Sequence, residues 1–191
     1  MKPLAYAALV ASFACAAHAE DFQLRLIAHR PPQKSLDFAG WAIAPDLTAS
    51  PKKGLTLAGF GTKTGWGWAE VIAGGFATDG EHFQPVANVR LSVRANKMSA
   101  YSELWWRSSR NRSPNYRRWA GVAIVTLAVT ERLALGIEGE EFCGRGAKPS
   151  LGLGPRASVK FSQKTSLALG WQMRNVYGGK NFVRAYALRT F

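Results

Sequence analysis

The sequence predicts an all-β fold: a single antiparallel up-and-down β-barrel of about eight to ten strands. Three observations support this prediction. Apolar and polar residues alternate with a period of two, short and long gaps alternate between the candidate strands, and these strands average about ten residues. Each strand would then have one apolar face and one polar face.

The alternation is clearest in the segment 85–95. Its odd positions are apolar from Ala87 to Ala95, whereas the even positions from Asn88 to Arg94 are polar or charged. The segments 155–162 and 165–175 repeat this pattern. The run 118–129 is apolar on both faces and is ambiguous alone, but its continuation over 133–138 alternates. Helical spacing would scatter these apolar residues around an axis, so the pattern predicts strands.

The gaps between the candidate strands alternate in length. The candidate strands are 22–30, 53–62, 65–76, 85–95, 99–108, 117–129, 132–142, 155–162, 165–175 and 181–191. Short gaps lie near 63, at 96–98, at 130–132 and at 163–164, and long gaps lie at 31–52, 77–84, 109–116, 143–154 and 176–180. The segment 38–46 could form a further strand, which would change the count.

An even number of such strands, with short turns at one end and long loops at the other, resembles bacterial outer-membrane β-barrels. The resemblance covers residues 22–191 and implies that the apolar face contacts lipid. Aromatic residues near the strand ends would form two interfacial belts. They are Trp105, Trp106, Trp119 and Trp171 toward the long loops, and Trp66, Trp68, Phe161 and Phe191 toward the short turns.

The last candidate strand ends in Phe191, which is similar to the signal by which this class engages its outer-membrane assembly machinery. Arg189 stands where the class usually has a bulky apolar residue. An outward Arg at mid-depth costs roughly 2–4 kcal/mol. We therefore expect Arg189 to lie at the membrane interface.

Residues 1–19 predict a cleaved secretory signal, which leaves residues 20–191 as the barrel domain. Lys2 precedes an apolar run over 4–17, and the segment ends in Ala17-His18-Ala19. The alternative is a lipoprotein signal with Cys15 acylated. After cleavage Cys143 is the one remaining cysteine, so no internal disulfide is expected.

The charge balance indicates anionic partners. The chain has a net charge of +13, and removal of Lys2 leaves about +12. For an exported chain the relevant anions are lipid phosphates, lipopolysaccharide and small anions rather than nucleic acid, for which the sequence has no signature. No metal, nucleotide or cofactor motif is present in the sequence, so no cofactor is predicted.

The polar face should place charged residues inside the barrel, where carboxylates would pair with guanidinium groups. The predicted interior charge network is Arg90, Arg94, Glu103, Glu138, Glu140, Arg156, Lys160 and Arg174, with Arg25, His29, Arg107 and Arg184 on the same face. The face of Glu70 is not clear from its segment. Such a network could fill a narrow bore as a structural plug, or line a water-filled, anion-preferring pore.

The segment 107–118 is the most basic predicted loop. Its arginines are Arg107, Arg110, Arg112, Arg117 and Arg118. Because guanidinium groups bind phosphate in a bidentate way, this rim is predicted to contact lipopolysaccharide, the alternative being a solvated loop.

The sequence therefore predicts a non-enzymatic outer-membrane protein, either structural or a narrow pore. Two alternatives stay open. The first is a lipid A- or phospholipid-modifying enzyme that uses His29, at the long-loop end of the first strand, or His82. Asp79, Glu81, Ser108 and Ser109 would lie in the same rim as His82. The second is a soluble periplasmic β-sandwich that binds a ligand.

Overall fold

The computed structural model describes residues 21–44, 53–78, 83–107, 119–144, 147–173 and 181–191, which form eleven β-strands. They are β1 (Asp21–Arg30), β2 (Asp37–Ile43), β3 (Lys53–Thr64), β4 (Gly67–Thr78), β5 (Gln84–Ala95), β6 (Met98–Arg107), β7 (Trp119–Ala128), β8 (Leu133–Gly144), β9 (Ala147–Lys160), β10 (Thr165–Gln172) and β11 (Phe182–Thr190). The predicted all-β barrel is thus confirmed, whereas the predicted signal segment lies outside the described residues. No helix among those residues is long and apolar enough to cross a membrane.

The strands close into one barrel in which each strand pairs with its neighbours in the chain and β1 pairs with β11. The β1–β11 pair is parallel, with a register that runs from Asp21↔Phe182 to His29↔Thr190. The other pairs are antiparallel. A parallel closing pair follows from the odd strand number, because in an up-and-down sheet the first and eleventh strands run in the same direction.

β2 is the strand that the predicted count of eight to ten leaves out. The gap pattern treats 31–52 as one long loop, but β2 pairs with β3 over its whole length and with the last four residues of β1. Its presence changes the direction of β1 relative to the prediction. His29 therefore lies at the end of the barrel that carries the short turns, and not at the long-loop end.

The two ends of the barrel differ in their connections. At the end that we call the turn end, the strands are joined by residues 31–36, 65–66, 96–97, 129–132 and 161–164. At the opposite loop end, the connections are 44–52, 79–83, 108–118, 145–146 and 173–181. Asn96 has a φ of 52°, which suits the tight two-residue turn between β5 and β6. The predicted loop 143–154 is mostly strand, because β8 and β9 continue to Gly144 and from Ala147.

Apolar side chains cover the outer wall and charged side chains lie inside. On β5, Val89 is 51% exposed, whereas its neighbours Asn88 and Arg90 are each 1% exposed. Val125 and Leu167 are also exposed on the outer wall. An apolar layer occupies part of the interior. Its buried members are Ala39, Leu55, Leu57, Ile72, Val86, Trp105 and Ala120.

Candidate functional site

The interior holds two clusters of buried charged side chains, and we treat them as the candidate site. The Glu70 cluster consists of His29, Glu70, Arg90, Tyr101 and Glu103. The Glu138 cluster consists of Gln23, Glu138, Glu140, Arg156, Gln172, Arg184 and Tyr186. Seven of these residues are almost completely buried, with at most 4% of their surface exposed. They are His29, Glu70, Arg90, Glu138, Glu140, Gln172 and Arg184.

The register of three strands builds the Glu70 cluster. Glu70 on β4 is the Cα partner of Arg90 on β5, which in turn is the partner of Glu103 on β6. Arg90 Nη1 donates to Glu70 Oε1 over 3.2 Å, and Arg90 Nε lies 3.3 Å from Glu103 Oε2. Tyr101 donates its hydroxyl to Glu103 over 2.7 Å. One guanidinium therefore neutralises two carboxylates, of which Glu70 is buried and Glu103 is partly buried.

Aromatic rings enclose Arg90 and His29. The Arg90 guanidinium carbon lies 3.6 Å from the ring centroid of Trp41 and 5.2 Å from that of Trp105. A cation stacked on an indole face is stabilised by the ring quadrupole, and more strongly when water is excluded. His29 Nε2 lies 3.1 Å from Glu70 Oε2, and its ring contacts Trp41 and Trp68 at 4.9 and 5.1 Å between centroids.

The Glu138 cluster is organised around one carboxylate. Arg156 donates to Glu138 Oε2, while Gln172 and Tyr186 donate to Oε1 over 3.0 and 2.5 Å. Arg184 Nη1 lies 3.8 Å from the same Oε1 atom. Glu138 lies on β8 and accepts hydrogen bonds from donors on β9, β10 and β11, which are the next three strands around the barrel wall.

Arg184 connects the second carboxylate to this cluster. Its Nη1 atom lies 2.8 Å from Glu140 Oε2, and its Nε atom donates to Gln23 Oε1 over 3.1 Å. Its Nη1 atom also donates to the Tyr186 hydroxyl over 3.2 Å. Because Gln23 lies on β1 and Arg184 on β11, the cluster spans the parallel seam of the barrel.

Most of the predicted network residues that the structure describes lie in these clusters. Arg90, Glu103, Glu138, Glu140 and Arg156 are brought together in the interior. Arg94 and Lys160 are not: both side chains are exposed, and none of the described ion pairs includes them. They have the inward-facing parity, but they lie at the strand ends where the barrel opens to water.

The remaining predicted site residues lie mostly outside the described residues. Arg107 is at the last position of β6 and is partly buried. Arg174 in the predicted network, the rim residues Arg110, Arg112, Arg117 and Arg118, and the candidate catalytic residues Asp79, Glu81, His82, Ser108 and Ser109 are not among the residues described. The contact of this rim with lipopolysaccharide stays a prediction.

The sequence pattern does not predict some members of the clusters and some of the aromatic residues that contact them. Trp41 lies on β2, inside the predicted long gap 31–52, and the sequence pattern does not assign Glu70 to a face. Gln172 and Tyr186 have the inward parity on their strands, and this parity was the available signal for both. Trp68 and Trp105, which were expected in the interfacial belts, point inward instead, toward His29 and Arg90.

The described contacts do not assemble a catalytic set. His29 contacts a carboxylate and two indole rings, and no hydroxyl or thiol is among its described partners. The part of the chain that the structure describes contains no group of three or more His, Cys, Asp and Glu residues that could hold a metal ion. What the arrangement can do is bury and neutralise charge across the width of the bore.

Comparisons with models of protein families, with curated proteins and with solved structures found no match for this chain. The geometry of the barrel therefore carries the functional argument.

Proposed function

We propose that this chain is a structural outer-membrane β-barrel protein whose bore is closed by its two interior charge clusters. The observation that carries the proposal is the inverted distribution of side chains. Val71, Val89 and Ile137 are more than half exposed on the outer wall, whereas Arg90 and Glu138 are at most 1% exposed inside. A wall of this kind is stable in a bilayer, because its apolar side chains then contact hydrocarbon instead of water.

The strand lengths support a bilayer-spanning barrel. Most strands contain 9 to 14 residues, and tilted strands of about 9–11 residues are sufficient to cross the hydrocarbon core. Exposed aromatic side chains lie near both ends of the barrel, with Trp66, Phe161 and Phe191 at the turn end and Trp106 and Trp119 at the loop end. Aromatic residues at two levels suit the two membrane interfaces.

The paired interior favours a closed bore over an anion-preferring pore. The four carboxylates of the two clusters are Glu70, Glu103, Glu138 and Glu140, and each lies within 4 Å of an arginine. An anion-preferring pore needs unpaired cations that face water. Arg25 on β1 is partly buried and none of the described ion pairs includes it, but Arg90 and Arg184, the central cations of the two clusters, are 1% and 2% exposed. Their side chains are engaged with protein groups rather than with a permeant ion.

Fractionation combined with gel mobility tests the membrane proposal. We expect the protein to stay in the outer-membrane fraction after carbonate washing and to change its electrophoretic mobility on boiling, because a closed barrel resists detergent until it is heated. Release by carbonate without a mobility change would contradict the proposal and support a soluble periplasmic protein.

Planar bilayers test the closed bore. Reconstituted protein should give no steady conductance in chloride salts, whereas Arg90→Ala should produce channel openings because it removes the guanidinium that joins Glu70 to Glu103 and is stacked on Trp41 in the interior. Steady anion-selective conductance of the unmodified protein would contradict the closed bore and favour the pore. Altered lipid A after overexpression would instead support the enzymatic alternative.

A further inference from the structure

The outer wall carries an apolar groove with a volume of about 740 Å³. Its floor is a row of small outward-facing residues on neighbouring strands. Ala28 on β1 is the Cα partner of Ala42 on β2, Ala42 is the partner of Thr56 on β3, and Thr56 is the partner of Gly75 on β4. Because four adjacent strands have small side chains at matched positions, the wall is recessed along this row.

The two ends of the row are chemically different. At one end the Phe83 ring covers Gly75 so closely that a Cβ atom on this glycine would clash with it. At the other end Ala28 is the Cα partner of Arg189 on β11. The groove thus runs obliquely from the cationic side chain of Arg189, near the turn end, to an aromatic ring near the loop end.

The dimensions of the row suit one acyl chain. Four strand spacings separate Arg189 from Gly75, which corresponds to about 19 Å at about 4.8 Å per spacing. One leaflet contributes about 15 Å to the hydrocarbon core of a bilayer. An oblique groove of this length is therefore long enough to hold one acyl chain.

The charge at the turn end indicates an anionic headgroup. Arg189 is exposed, its guanidinium lies 5.6 Å from the Phe191 ring centroid, and none of the described ion pairs includes it. Lys164 is also exposed and immediately precedes Thr165, the Cα partner of Arg189 on β10. Two cations without a described acidic partner therefore flank this end of the groove.

The rest of the turn end is basic as well. Its described Lys and Arg residues are Arg30, Lys34, Lys63, Arg94, Lys97, Arg132, Lys160, Lys164 and Arg189, and its described acidic residues are Asp37 and Glu131. Asp37 already pairs with Arg30 over 3.6 Å. Basic residues clustered at a membrane surface attract anionic lipid.

We propose that the groove binds an anionic glycerophospholipid, with its phosphate at Arg189 and Lys164 and one acyl chain along the Ala28–Gly75 row. This proposal rests on the proposed function, because it requires the outer wall to face the bilayer. A lipid fits better than a second copy of this chain. The same face of another copy would present Arg189 again, whereas the groove has no described carboxylate that could pair with it.

Native mass spectrometry of the detergent-purified full chain, with phosphatidylglycerol or phosphatidylcholine added, tests the proposal. Arg189→Gln should lower the retained phosphatidylglycerol about fivefold, because one cation near the headgroup is removed. Ala42→Phe should lower it for both lipids, because the ring would occupy the groove. The matched controls Lys97→Gln, at the β5–β6 turn on the opposite side of the barrel, and Val125→Phe, on the outer face of β7, should retain lipid like the unmodified protein.

Each variant is first examined for the mobility change on boiling, which reports an intact barrel. If the unmodified protein shows no such change and no membrane association, the proposed function itself fails. If the barrel is intact but phosphatidylglycerol is retained equally by Arg189→Gln, Ala42→Phe and the controls, the lipid site alone is overturned. A lipid-independent dimer that Ala42→Phe abolishes would also overturn it, in favour of a contact between two copies of the chain.

Discussion

The two interior clusters neutralise charge in opposite ways. The Glu70 cluster has a cation at its centre, because Arg90 lies between Glu70 and Glu103 and is stacked on Trp41. The Glu138 cluster has an anion at its centre, because Glu138 is contacted by two arginines, a glutamine amide and a tyrosine hydroxyl. Both centres are almost completely buried.

This difference determines how much redundancy each cluster has. Among the described residues, Arg90 is the one arginine or lysine that contacts Glu70 or Glu103, so these carboxylates depend on a single guanidinium. Glu138 has several donors, and Arg184 would still have Glu140 as a partner if Glu138 lost its charge. We therefore expect the Glu70 cluster to be the more sensitive to the loss of its central residue.

Arg90→Met should have the largest effect. It keeps an unbranched side chain but leaves Glu70 and Glu103 without their shared cation. Because Glu70 is buried, and breaking a buried pair costs about 3–5 kcal/mol, the loss should be of this size. The free energy of unfolding, measured in urea with the protein in lipid vesicles, should fall by this amount. Arg90→Lys, which keeps the charge, is the control and should lose less. A loss below about 1 kcal/mol for Arg90→Met would show that the carboxylates have other partners.

Glu138→Gln should have a smaller effect, of about 2–3 kcal/mol in the same measurement. The amide can still accept from Tyr186, and Arg184 keeps Glu140 at 2.8 Å, but Arg156 loses its charged partner. Equal losses for Glu138→Gln and Arg90→Met would contradict the greater redundancy of the Glu138 cluster.

The two clusters also show how far sequence reasoning extends. Strand parity is a local property, so alternation in β5 or β10 was sufficient to predict which side chains face inward. Which inward-facing side chains contact each other is not a local property of the sequence. That Glu70 shares Arg90 with Glu103 depends on the register of three strands, and that Tyr186 reaches Glu138 depends on how the barrel closes.

The omission of β2 from the predicted strand count has a similar physical cause. β2 has seven residues and lies among connections that contain Pro31, Pro32 and Pro45, so its local pattern competes with turn signals. Its pairing with β1 and β3 stabilises it as a strand, and this pairing exists only in the folded barrel. The same strand supplies Trp41 to the interior and Ala42 to the outer groove. Because the sequence pattern gives 38–46 only as a possible further strand, it does not assign either residue to a face.

Tyr186→Phe tests how much one hydrogen-bond donor contributes to the Glu138 cluster. The hydroxyl donates to Glu138 over 2.5 Å and accepts from Arg184 over 3.2 Å, while the ring lies 4.6 Å from the Arg156 guanidinium carbon. Because the ring is kept, the expected loss is about 1–2 kcal/mol in the free energy of unfolding. Tyr101→Phe, which removes the one hydroxyl that donates to Glu103 among the described residues, is the matched change in the Glu70 cluster. A loss above that of Glu138→Gln would mean that the hydroxyl, and not the carboxylate, organises this cluster.

Arg94→Gln and Lys160→Gln should have the smallest effects, within about 0.5 kcal/mol of the unmodified protein. Both side chains have the inward parity but are exposed at the turn end, and no described ion pair includes either of them. Water solvates these cations, so removing their charge leaves no buried carboxylate without a partner. The same urea titration measures the effect. A loss of several kcal/mol for either variant would mean that the interior network extends to the mouth of the barrel, as the sequence pattern predicts, and that the contrast between two separate clusters is incomplete.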